Sequence, residues 1–131
     1  MSIRVLLVDD EVSYTEILAE RLTIRGFSVE TVSNGFEAIL KVQDNHFDVI
    51  IMDVLMPGKN GIETFTEIKK NHPQLCVIML TGHAELNTAM NGLETGIYDY
   101  LIKPVDIDEL IGKINLAYKY NQMAQNQTKS E

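Results

Sequence analysis

Five short runs rich in β-branched or aromatic residues recur along the chain, three of them apolar at successive positions, and a stretch with helical spacing follows each one. Runs that are apolar at successive positions, rather than at alternate ones, must be buried on both faces. Strands of that kind alternating with helices form a parallel sheet with helices on either side. Right-handed crossovers then leave few topologies. The expected strands are residues 3–8, 28–32, 48–52, 75–80 and 97–102. The expected helices are residues 11–24, 34–42, 62–70, 85–93 and 106 to about 120. Helical spacing assigns Tyr14, Ile17, Leu18, Arg21 and Leu22 to the inner side of the first helix, and Phe36, Ile39, Leu40 and Gln43 to that of the second. Phe65 and Ile68 face inward from the third, and Leu86, Ala89, Met90 and Leu93 from the fourth. Ile107, Leu110, Ile111, Ile114 and Ala117 do so from the last. Gly26 is a natural stop for the first helix.

A chain of 131 residues with 45% apolar content suits one domain with a full core. That domain is expected over residues 1–120. From residue 121 to 131 the composition turns polar, as in a disordered tail or the start of a linker. Eleven Lys and Arg against nineteen Asp and Glu give a net charge of -8. That sign argues against direct nucleic-acid binding, which needs a basic surface. No apolar stretch reaches the ~18 residues of a membrane span. The amino-terminal residues enter a strand pattern without a secretory signal, so a cytoplasmic setting is expected. The lone Cys76 has no partner within the chain and reads as a core thiol. His46 and His72, beside polar loop residues, read as surface.

In open sheets of this kind, function gathers at the carboxyl ends of the strands. Asp9 and Asp10 end the first run, Asp53 the third, Thr81 the fourth and Lys103 the fifth. A carboxylate beside an apolar core is costly unless it has a partner or a purpose. Asp9, Asp10 and Asp53 can share a hard divalent cation, and Mg2+ binds carboxylates, water and phosphate together. Asp9 or Asp10 taken alone also has a plainer reading, as a cap on the following helix, which the pair together with Asp53 outweighs. Asp53 is also a candidate nucleophile, because carboxylates form acyl phosphates. Lys103 supplies a mobile positive charge for phosphoryl oxygens. Pro104 follows it, and spacing alone does not fix that peptide as cis or trans. Thr81 is placed either to donate its hydroxyl to a phosphoryl oxygen or to cap a helix. Gly82 beside it permits close backbone approach. Tyr100 points to the face opposite Leu101, either as a mobile aromatic or as a packing residue.

Four stretches together resemble the receiver domain of two-component response regulators. They are Val5-Leu6-Leu7-Val8-Asp9-Asp10-Glu11, Asp53-Val54-Leu55-Met56-Pro57-Gly58-Lys59-Asn60-Gly61, Met79-Leu80-Thr81-Gly82-His83-Ala84 and Tyr98-Asp99-Tyr100-Leu101-Ile102-Lys103-Pro104. The resemblance implies a flavodoxin-like (βα)5 doubly wound sheet of strand order 2-1-3-4-5. It implies Asp53 as phosphoacceptor, Asp9 and Asp10 with Asp53 as Mg2+ ligands, Thr81 and Lys103 as activation threonine and phosphate-binding lysine, and Tyr100 as switch aromatic. Leu55 and His83 occupy the positions that tune phosphoryl lifetime. Leu55 shields rather than orients water, and His83 either exchanges a proton or faces solvent.

The expected donor is a sensor histidine kinase or a histidine phosphotransfer protein. The domain would catalyse its own phosphorylation and dephosphorylation. The expected output is a changed surface of the fourth helix, fifth strand and fifth helix, including Glu85, Leu86, Asn87, Asn91, Asp99, Glu109 and Lys113. That surface would bind a downstream protein or output domain, or form a homodimer. The last two motifs resemble receivers attached to DNA-binding outputs.

Three other readings fit less well. A Mg2+-dependent aspartyl-phosphate hydrolase would carry a second acid at the Leu55 position. A dinucleotide or P-loop binder would need a glycine-rich loop after the first strand. A non-phosphorylated interaction module tends to lose one of the acids, the threonine or the lysine, and all are present here.

Overall fold

The computed structural model describes residues 2–82 and 97–129. The expected fourth helix, its share of the output surface and His83 lie outside those residues. Five strands, β1 (Arg4–Val8), β2 (Ser28–Val32), β3 (Val49–Asp53), β4 (Cys76–Thr81) and β5 (Asp99–Ile102), form one sheet. All pairings are parallel, in the order β2-β1-β3-β4-β5. Helices α1 (Val12–Ile24), α2 (Gly35–Asp44) and α3 (Gly61–Asn71) and a C-terminal helix (Ile107–Lys129) complete the described elements. This is the flavodoxin-like topology expected from the sequence.

The period-2 alternation of strand side chains divides the core in two. Leu6, Val8, Ile50, Met52, Val77 and Met79 point to one face and pack with Ala38 and Val42 of α2 and Phe65 and Ile68 of α3. Val5, Leu7, Val49, Ile51, Ile78 and Leu80 point to the other. They pack with Leu18 and Leu22 of α1 and Leu110, Ile114 and Ala117 of the C-terminal helix. Both faces are dry, and apart from Arg4 at the start of β1 the three inner strands carry no charged residue before their carboxyl ends. Edge strand β2 is more open, and its Glu30 pairs with Arg4 at 3.1 Å and Lys41 at 3.0 Å.

The inner faces of the first two helices differ from expectation. Gly35, Ala38 and Val42 are the buried residues of α2, whereas Phe36 and Leu40 are 61% and 63% exposed. Gly35 lies so close to the Thr64 side chain that a Cβ there would overlap it. Small residues therefore set the approach of α2, and its larger residues are displaced outward. On α1, Thr15 is buried while Ile17 and Arg21 are exposed. The C-terminal helix also runs on through Lys129, where a frayed or disordered tail was expected. Asn121 is buried, and Gln, Met, Ala and Lys sustain a helix well.

Helix caps aim the loops beside the strand ends. Asn60 and Glu63 form a reciprocal capping box on α3, at 2.9 and 3.1 Å. Gly61 donates its N–H to the Val54 carbonyl at 2.9 Å. A Cβ on Gly61 would overlap the Asp53 carbonyl oxygen, so this glycine lets the loop fold back onto the end of β3. Gly61→Ala should destabilise the domain by about 1–3 kcal/mol, measured by denaturant unfolding. A loss as small as that of an exposed control such as Lys70→Ala would refute this packing.

Candidate phosphoryl-transfer site

Strand register brings the acids together. Val8 pairs with Met52, so Asp9 and Asp53, each the next residue, leave adjacent strands side by side. Leu80 pairs with Asp53 and Ile102 with Thr81. Thr81 and Lys103 therefore emerge along the same edge, where the Lys103 N–H donates to the Thr81 carbonyl at 2.9 Å. Four chain segments meet because four parallel strands end together.

Asp9 and Asp53 are buried, at 4% and 6% exposure, and Asp10 is exposed. One oxygen from each of the three lies within 4.8 Å of the others. Asp9 Oδ1 accepts the Glu11 N–H at 2.9 Å, which turns the chain into α1. Asp53 Oδ1 accepts the Leu55 N–H at 3.3 Å. Lys103 Nζ lies 2.7 Å from Asp9 Oδ2, 2.9 Å from Glu11 Oε1 and 3.3 Å from Asp53 Oδ2. It also sits 5.0 Å from the centre of the Tyr14 ring. The Lys103–Pro104 peptide is cis.

Burial pushes the Asp53 carboxyl up to about 6, and the Asp9 charge adds to the shift. Lys103 and the Leu55 N–H oppose it without cancelling it. For Lys103, burial favours the neutral amine. The hydrogen bonds it donates to Asp9 and Glu11 and the charges of Asp53 and Asp9 outweigh it, so the ammonium is held above the ordinary lysine range. The crowded carboxylate oxygens, from buried Asp9 and Asp53 and exposed Asp10, fit a hard divalent cation such as Mg2+. A cation there would offset the repulsion that one lysine leaves uncompensated.

The other expected residues occupy defined places. Thr81 is fully buried, and its hydroxyl donates to the Gly82 carbonyl at 3.1 Å. Tyr100 packs against the core face opposite Leu101, with its N–H bonded to Asp99 Oδ1 at 2.8 Å. Leu55 stands 57% exposed beside Asp53. His46 is an exposed side chain near Asp48, and His72 is half-buried. Cys76 is buried, with Sγ 3.6 Å from the Ala117 carbonyl oxygen. Sequence reasoning did not single out Glu11 or Tyr14 as site residues. The signals were a third acid directly after Asp9-Asp10, and an aromatic three residues on along the same helix edge.

Buried acids, a carboxylate cluster suited to a divalent cation and a lysine at the ends of parallel strands define an α/β domain positioned for metal and phosphoryl chemistry. The family model for the response regulator receiver domain matches residues 5–115. The transcriptional regulatory protein ZraR of Klebsiella oxytoca is 36% identical over 121 residues, covering 92% of this chain and 27% of that protein. The regulatory protein AtoC of Escherichia coli is 38% identical over 107 residues, covering 82% and 23%. A receiver domain crystal structure from Clostridium thermocellum superposes with a TM-score of 0.87 at 35% identity, covering 93% of this chain and 98% of that one. The chain belongs to the response regulator receiver domain family. Its site carries the residue set with which receivers catalyse their own phosphorylation and dephosphorylation. The chain spans about a quarter of the length of the curated relatives it matches. Among the described residues, no helix is long and apolar enough to cross a membrane.

The raised Asp53 value has a stability consequence. Between the ordinary carboxyl value of 3.8 and about 6, the folded state binds this proton and the unfolded state releases it. Stability from this group is therefore full below 3.8 and falls as pH rises through the window. Without divalent metal at pH 7, Asp53→Asn should stabilise the domain by about 1–2 kcal/mol, allowing for water's access to the open cleft. The gain should fade towards pH 4 and shrink when Mg2+ is added, because Mg2+ stabilises only the native aspartate site. Urea titrations with and without chelator test this, and a less stable Asp53→Asn protein in chelator at pH 7 would contradict it.

Proposed function

We propose that Asp53 accepts a phosphoryl group from a phosphohistidine on a sensor histidine kinase or a histidine phosphotransfer protein. The juxtaposition of buried Asp53 with the carboxylate cluster and Lys103 carries the reading. An Asp53 oxygen attacks phosphorus, the phosphorus–nitrogen bond breaks, and the imidazole leaves. Asp9, Asp10 and Asp53 would hold Mg2+, which supplies charge neutralisation for the transferring group. Lys103 moves from its carboxylate partners to a phosphoryl oxygen. Thr81 gives up its Gly82 contact to donate to another, and Tyr100 follows on the adjoining strand as the switch residue. Hydrolysis by water returns inorganic phosphate and the free carboxylate. Leu55 offers no hydrogen bond to attacking water, and as an exposed apolar side chain it shields the acyl phosphate. His83 is assigned a part in the same lifetime control.

A dianionic group biases the domain only towards a state that offers it better contacts. The readout we assign is the surface of the fourth helix, β5 and the C-terminal helix, which engages a downstream protein or output domain or a second copy. Two described features support it. Asp99 of β5 and Lys113 of the C-terminal helix pair at 2.6 Å. Leu116, Tyr120 and Met123 form an exposed stripe at i, i+4, i+7 on that helix, the spacing of a docking seam. Relatives bear the names of transcriptional regulators, and we assign control of transcription as the output. The interior of a reducing cell is the setting in which phosphohistidine donors would meet this site.

Acetyl phosphate with Mg2+, followed by intact mass, tests the assignment. One phosphoryl group should be gained, none in Asp53→Asn and none with chelator. Lys103→Ala should slow the gain by about a hundredfold, the scale for losing one preorganised charge-stabilising donor. Failure with acetyl phosphate and with histidine-kinase donors alike would leave a non-phosphorylated interaction module as the better reading.

A further inference from the structure

The Lys103 ammonium is fully engaged before any phosphoryl group arrives. It has three N–H donors, and it faces three carboxylates, from Asp9, Glu11 and Asp53, at 2.7, 2.9 and 3.3 Å. Two of these belong to the carboxylate cluster that fits a divalent cation, and the Glu11 oxygen does not. Glu11 sits at the N-cap of α1, with its backbone held by Asp9 Oδ1 at 2.9 Å. One turn further, the Tyr14 ring presents its face to the same ammonium at 5.0 Å. Tyr14 is half-buried, so the ring is a fixed platform, whereas the Glu11 side chain is 65% exposed and free to adjust. The two residues approach Lys103 from one helix edge. Neither is needed to hold a cation or to accept a phosphoryl group.

We propose that Glu11 and the Tyr14 ring form a resting seat for the Lys103 ammonium. The division of the lysine between this seat and a phosphoryl oxygen on Asp53 sets how tightly the site retains its phosphoryl group. The proposal rests on the reading of Asp53 as phosphoacceptor. Glu11 and Tyr14 are positioning residues that act through Lys103. The seat attracts the ammonium by charge from Glu11 and by the negative ring face from Tyr14. Contact with a phosphoryl oxygen draws the ammonium away from both. Removing the seat therefore favours the phosphoryl-bound position, and the exposure of Glu11 keeps the effect modest.

Binding of beryllofluoride, a phosphoryl mimic, in the presence of Mg2+ provides one test. Glu11→Gln and Tyr14→Leu should each tighten it by about threefold, the scale of an exposed ion pair. Tyr14→Phe, which keeps the ring, should bind as the parent does. In a Lys103→Ala background the Glu11→Gln gain should vanish. Unchanged or weaker binding by Glu11→Gln overturns the seat, as does a gain that persists without Lys103. The metal-free protein supplies a second reading. Solvent exchange of the Lys103 Nζ protons, followed by nitrogen-edited NMR, should quicken by about threefold in Glu11→Gln, and unchanged exchange overturns the seat alone. A parent protein that binds no beryllofluoride overturns the phosphoacceptor reading and this proposal with it.

Discussion

Two buried carboxylates, Asp9 and Asp53, are held side by side at the ends of adjacent strands by the pairing of Val8 with Met52. Their mutual repulsion is the constraint around which the functional end of the molecule is organised. The sheet fixes them there because both of its faces are filled, and a one-residue slip of either strand would turn its apolar set onto the wrong side. The domain thus spends folding energy to maintain an arrangement that is unfavourable in the absence of a cation. Lys103 offsets part of that cost from the end of β5. Burial first, and the Asp9 charge second, hold the Asp53 carboxyl up near 6 against the pull of Lys103, so the compensation is incomplete.

Incomplete compensation makes the site responsive. A fully neutralised pair would have little to gain from a divalent cation or a phosphoryl group. An uncompensated pair would bind a cation tightly but strain the fold further. Lys103 lies between these limits because its ammonium is shared among several acceptors rather than committed to one. It remains charged throughout, since the surrounding acids more than offset the effect of its burial. Its position rather than its protonation state is the variable, which is the useful property of a point charge on a flexible stem.

Much of this was legible in the sequence, for a specific reason. Continuous runs such as Val49-Ile50-Ile51-Met52 announce strands buried on both faces, and the polar residue that ends each run must lie at the sheet edge. Asp9, Asp53, Thr81 and Lys103 followed from that logic together with strand order. The inner face of α2 did not. A stripe through Phe36 and Leu40 is as regular as the true one through Gly35, Ala38 and Val42, and hydrophobicity favours the wrong choice. The deciding fact is the close approach of Gly35 to Thr64, a tertiary distance that no local pattern encodes. The C-terminal helix reaches further than its composition suggests: the polar stretch after Gln122 reads as solvated chain, although Met123, Ala124, Gln125, Gln127 and Lys129 are good helix formers.

Glu11 and Tyr14 mark the boundary of what residue type alone can reveal. Each has an ordinary local explanation, an acid at a helix start and an aromatic on a helix edge. Only the return of Lys103 from the far end of the sheet, 92 residues later in the chain, turns them into neighbours of the reacting group. The same holds for the Thr81 hydroxyl, which rests on its own backbone at Gly82. Both donors expected to meet a phosphoryl group are therefore engaged elsewhere before it arrives. Breaking those contacts takes free energy, and a dianion supplies it through charge-assisted bonds stronger than the ones it replaces. The resting contacts thus set a threshold that a phosphoryl group on Asp53, as proposed, has to exceed.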